Sequence, residues 1–180
     1  MAEKKKKGRR AYLNDFQKDE KGQYVYQGVL YEWKGGEGTL HRELLVLWGL
    51  CIAMIGSLLA AACVDAPGAM NAAYVVLPLT VSLLFGISAG WGLWRLTSGG
   101  NPLRAYVYEQ SAGRIPVRLA GTMLGAGAAI AGEMIFLFRN GFDGKQPYAF
   151  LFIVLEGLAF TLAMVFRQRI SKMAWEKQKT

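Results

Sequence analysis

The chain has little with which to do acid–base or metal chemistry. One histidine and two cysteines stand among 180 residues. His41 lies beside Arg42 and Glu43 at the start of an apolar run, and no second imidazole exists to complete a metal site or to serve a nucleophile. Cys51 and Cys63 fall in one apolar segment. Their spacing along a helix is ~18 Å, too far for a disulfide within the chain. No CxxC, HExxH, P-loop or dinucleotide-binding glycine pattern occurs. Gly125, Gly127 and Gly132 imitate the last only superficially, since they lie inside an apolar run. With a single histidine and no metal-ligand spacing, the sequence gives no support to zinc, thiol-redox or nucleophile–base hydrolase chemistry. The expectation is a protein that is not an enzyme and has no resident metal or cofactor.

Charge is missing from long stretches as well. Residues 44–63 and 72–94 contain no Asp, Glu, Lys or Arg, while 119–138 and 148–166 hold one glutamate each. At ~1.5 Å of helix rise per residue, each run covers the roughly 30 Å of a bilayer's hydrocarbon core. A soluble core helix would show a polar face every turn. Lipid offers no hydrogen-bond partner to the backbone, so spans are helices or closed barrels, and barrel strands would be about half as long and alternate in polarity. The fold class expected is an all-α integral membrane protein, a four-transmembrane-helix bundle of two antiparallel hairpins.

What the chain does have is basic charge in one place. Of 21 Lys and Arg, ten precede residue 44, four lie in 95–118 and five follow residue 166, leaving only Arg139 and Lys145 in the other two connections. The positive-inside rule then puts both termini and the middle loop in the cytoplasm, and the loops around Asp65 and Asp143 outside, in what is expected to be the plasma membrane. Three parts follow: a cytoplasmic arm and aromatic element at 1–43, the membrane domain at 44–166, and a basic cytoplasmic tail at 167–180. The net charge of +8 is placed where anionic headgroups read it, so the expected partner is the bilayer surface and not nucleic acid. The first ten residues, MAEKKKKGRR, read as a basic arm on that surface. The segment 59–63 (LAAAC) has the look of a lipoprotein cleavage box at Cys63, but 43 residues precede the apolar run and the run is of span length. The plainer expectation is a small-residue helix end.

Within the arm, residues 23–27 and 29–33 alternate aromatic and other side chains around Gly28. Tyr24, Tyr26, Tyr31 and Trp33 fall on alternate positions within each run, which predicts a small β-hairpin-like element. Such rings suit the membrane interface, a partner, or the middle loop as a self-docked cap. In the middle loop, Pro102 is expected to open an interfacial helix over 102–110, with Leu103, Tyr106 and Val107 on one face. Pro78 is expected to kink the second span near Tyr74.

Two rows of small residues predict close helix packing: Ser82, Gly86 and Gly90 in the second span, and Gly121, Gly125 and Ala129 in the third. Glu133 continues the second row, and Glu156 lies at similar depth in the fourth span. A buried ionised carboxylate is costly, and two side by side cannot both ionise cheaply, so together they are candidates for a proton or cation site. The alternative is that hydroxyls of Ser57, Thr122 or Thr161, or the Arg139 guanidinium, satisfy them. No family resemblance is apparent. The leading expectation is an accessory or structural subunit of a membrane complex, associating with another membrane protein or with itself. The alternative is a small oligomeric transporter or channel for a cation or proton using Glu133 and Glu156.

Overall fold

A computed structural model describes residues 16–18, 23–141 and 144–178. Its chain is mostly helical, and four helices are long and apolar enough to cross a membrane. These are α1 (Glu37–Ala62), α3 (Ala73–Ser98), α5 (Ile115–Asn140) and α6 (Gln146–Lys172). Two short helices lie in the connections: α2 (Pro67–Asn71) between α1 and α3, and α4 (Ala105–Gln110) between α3 and α5. At the α2 end, each long helix stops within two residues of the apolar run that predicts it. At the opposite end all four overrun it: α1 begins at Glu37, α3 reaches Ser98, α5 begins at Ile115 and α6 reaches Lys172. The overrun carries polar and basic residues, whose long aliphatic stems suit a helical turn just outside an apolar layer.

The helices pack in a ring, α1 on α3 and α6, and α5 on α3 and α6. The closest approach is α3 on α5. A Cβ at Gly125 would stand 2.7 Å from the Ser82 amide nitrogen and 2.8 Å from the Pro78 carbonyl oxygen, so the two backbones touch there. Pro78 removes the amide that the Tyr74 carbonyl would otherwise receive. That oxygen lies against Gly132, 3.0 Å from where a Cβ would be, and α3 stays helical from Ala73 to Ser98.

The small residues of the second span serve two neighbours. Ser82 faces Gly125 of α5, while Gly86 and Gly90 face Leu58, Met54, Cys51 and Ile55 of α1. Gly121 meets the Phe85 ring, and Ala129 is fully buried. Two apolar clusters fill the bundle. One, toward the overrun end, holds Leu47, Met54, Leu93, Leu119 and Phe166. The other, toward α2, holds Ala61, Val75, Ala129 and Phe152.

The expected hairpin-like element needs correcting, because the described residues form two small sheets beside the helices. Strands β2 (Tyr24–Tyr26) and β3 (Leu30–Trp33) form on either side of Gly28, but they do not pair with each other. β2 pairs antiparallel with β1 (Phe16–Lys18). β3 lies between β4 (Leu103–Arg104) and β5 (Trp175–Gln178), antiparallel to both. An isolated two-stranded ribbon is marginal in water, and a strand paired on both edges satisfies twice the backbone. The sheet order β4-β3-β5 therefore ties the N-terminal segment, the middle loop and the C-terminal tail together across one end of the bundle.

Two further expectations are revised by this sheet. Pro102 does not open a helix: the Asn101–Pro102 peptide is cis, Leu103 enters β4 fully buried, and the helix starts at Ala105. The stretch after residue 166 is not simply a tail, since α6 continues to Lys172 and β5 follows. The basic arm at 1–10 and Asp143 lie outside the described residues.

Candidate functional site

The inner face of α5 carries Thr122, Gly125, Ala126, Ala129, Gly132 and Glu133. Glu133 is fully buried. Its position brings it under α2, which has no side-chain cap of its own. The Gly68 amide donates to Glu133 Oε1 at 3.0 Å, and the Ala69 amide stands beside the same carboxyl. The first amides of a helix lack intrahelical acceptors, so a carboxylate placed there satisfies a group that would otherwise be orphaned. A Cβ at position 68 would collide with the carboxyl, which makes glycine the residue the contact requires. On the surface of the same end, Lys145 Nζ lies 2.9 Å from Asp65 Oδ2 and ties the two connecting loops together.

Glu156 has a different setting. It lies on the inner stripe of α6, between Phe152 of the α2-side cluster and Ala163 and Phe166 of the opposite one. It is fully buried, and neither carboxyl oxygen has a hydrogen-bond partner among the described residues. The two carboxyls differ in their hydrogen bonding: Glu133 accepts from α2, and Glu156 has no such partner among the described residues.

The hydroxyls expected to satisfy the carboxyls are used elsewhere. Ser57 Oγ donates to the Leu155 carbonyl at 2.6 Å, Thr161 Oγ1 to Gly157 at 2.9 Å, and Thr122 Oγ1 approaches the Arg118 carbonyl at 3.4 Å. Hydroxyls on apolar helices commonly bond back to the preceding turn, and two of these do. Arg139 is exposed and forms no ion pair with Glu133. Among the described residues, no group of three or more His, Cys, Asp or Glu could hold a metal ion. His41 is exposed.

At the sheet end the four aromatic candidates separate. Tyr31 stacks on Tyr108 with centroids 4.0 Å apart and planes 8° from parallel. Trp33 lies opposite Trp175 in the β3–β5 register, edge to face at 5.6 Å, and its Nε1 donates to Thr39 Oγ1 at 3.0 Å. Tyr26 donates its hydroxyl to the Val29 carbonyl and lies under the Arg104 guanidinium. Tyr24 projects outward and is 69% exposed. Tyr31 and Trp33 thus hold the cap to the bundle.

The reading from sequence missed Gly68 and Trp175. Gly68 stands in a short loop with no local signal for a buried carboxylate 65 positions away. Trp175 gave the one usable sign, a single large aromatic in an otherwise polar tail. No protein-family model, curated protein or solved structure matches the chain.

Proposed function

We propose that the chain is a non-enzymatic membrane protein that acts as an accessory or structural subunit, with both termini and the sheet in the cytoplasm. The observation that carries this reading is the cap. β3 is held by β4 and β5, so three distant segments form one braced platform on the basic end of the bundle. The β1–β2 ribbon, on which Tyr24 is 69% exposed, is the docking element for a second membrane protein under this reading. Glu133 supports the same reading, because its Oε1 is engaged in holding α2, although its Oε2 has no hydrogen-bond partner among the described residues. The basic end suits the cytoplasmic side, where retained Lys and Arg fix topology.

Deletion of residues 11–27 removes β1 and β2 and leaves β3 in place. It is expected to abolish co-purification of the partner in mild detergent while the four-helix domain stays folded. A full-length chain that purifies alone and stable from mild detergent in every preparation contradicts the reading. Orientation is checked through Cys63, which is exposed at the α2 end, whereas Cys51 is buried. A membrane-impermeant maleimide added to intact cells or spheroplasts should label Cys63.

A second reading is favoured by Glu156, whose buried carboxyl has no hydrogen-bond partner among the described residues. Buried polar groups are nearly always satisfied, and an orphaned acid inside a span suits a carrier of a proton or cation. Under this reading Glu156→Gln abolishes flux in proteoliposomes while expression is unchanged. Under the first reading, wild type and variant show the same background leak.

A further inference from the structure

Where α1, α6 and the sheet meet, a cavity of about 480 Å³ opens at the basic end of the bundle. Its polar wall is Trp33, Thr39, Glu43, Gln168, Arg169 and Lys172. Val165 and Met173 supply an apolar flank. The level of the cavity follows from the sequence of the two helices. α6 is apolar through Phe166 and basic beyond it, and α1 is polar up to Glu43 and apolar from Leu44. The cavity therefore sits at the boundary between hydrocarbon and headgroups, where a tryptophan with its indole N–H bonded at one edge is well placed.

The charges of the wall are unequal. Arg169 Nη1 lies 3.3 Å from Glu43 Oε2, so these two offset each other. Lys172 forms no ion pair among the described residues and leaves the wall one positive charge in excess. Gln168 adds a side-chain amide donor on the same helical turn. A lipid phosphate offers the complementary charge and acceptors, and the acyl chains leave past Val165 along the apolar part of α6.

We propose that this cavity holds the phosphate headgroup of an anionic phospholipid, with Lys172 as the main cation, Arg169 as the second, and Glu43 as a tuner that weakens the site. The proposal goes beyond the reading above and rests only on its placement of the helices in a membrane. It does not depend on which end faces the cytoplasm.

The test is native mass spectrometry of the purified full-length chain in mild detergent, titrated with dioleoyl phosphatidylglycerol or dioleoyl phosphatidylcholine. Wild type should retain phosphatidylglycerol in preference to phosphatidylcholine. Lys172→Gln should weaken retention of the anionic lipid about fivefold, as expected for one basic residue near a charged surface. Glu43→Gln releases Arg169 and should strengthen retention. Arg139→Gln, at the opposite end, should leave it unchanged, and millimolar inorganic phosphate should not displace the lipid.

Equal retention of the two lipids, no response to Lys172→Gln, or a loss on Arg139→Gln as large as that on Lys172→Gln overturns the site. Displacement by inorganic phosphate also overturns it, because the ligand is then a soluble anion. Both lipids reach both ends of the chain in detergent, so failure here leaves the subunit reading to be judged by partner co-purification.

Discussion

The two ends of this bundle are closed by different means. The sheet end is closed from outside, by three segments distant in sequence that pair as β4-β3-β5 and clamp Tyr31, Trp33, Tyr108 and Trp175 between them. The α2 end is closed from inside, by a single carboxyl on α5 that takes the Gly68 amide of a five-residue helix. The first arrangement spreads its stability over many aromatic and backbone contacts. The second rests on fewer groups, chiefly the buried Glu133–Gly68 contact and the packing of Ala66 and Ala72. Damage to the sheet end should therefore be graded, and damage to the α2 end abrupt.

The largest effect is expected between the ends, at the α3–α5 contact on which both depend. Gly125→Val puts side-chain atoms where the Ser82 and Pro78 backbones already lie, and should cost about 3 kcal/mol by forcing the helices apart. Thermal unfolding in detergent checks this, and an unchanged midpoint would mean that the two backbones are not in contact.

Next comes Glu133→Leu, which leaves the Gly68 amide buried and unpaired at a cost of about 2 kcal/mol. Glu133→Gln keeps an acceptor oxygen and should cost less than half as much. At the sheet end, Trp175→Ala removes contacts with Trp33 and Tyr108, and should cost about 1 kcal/mol while making the segment after residue 172 sensitive to protease. The smallest effect belongs to the exposed Lys145–Asp65 pair. Lys145→Ala should change stability by less than about 1 kcal/mol, with the difference shrinking further in high salt.

Legibility from sequence follows the same division. The α2 ends of the long helices were readable because apolar runs stop sharply there. The sheet ends were not, since nothing in polar turns such as 37–43 or 167–172 separates helix from loop by hydropathy alone. The strands flanking Gly28 were visible as alternating aromatics, but their partners were not. β4 is two residues long and follows a cis proline, and β5 is hidden in a polar stretch marked only by Trp175. Both glutamates were visible as charges inside apolar runs. That one of them caps α2 could not be read, because a carboxyl's partner across the bundle has no local trace in the chain.

The account turns on the two glutamates having opposite relations to the fold. Glu133 completes a helix end through Oε1, whereas neither oxygen of Glu156 has a partner among the described residues, so its removal takes away a buried polar group without leaving another unpaired. The direct measurement compares Glu133→Leu with Glu156→Leu in a Cys63→Ser background. Heat unfolding is followed by a thiol-reactive dye that reports exposure of the buried Cys51. The account predicts shifts of opposite sign, with Glu133→Leu lowering the midpoint and Glu156→Leu raising it or leaving it in place. Destabilisation by both variants to the same extent would contradict it.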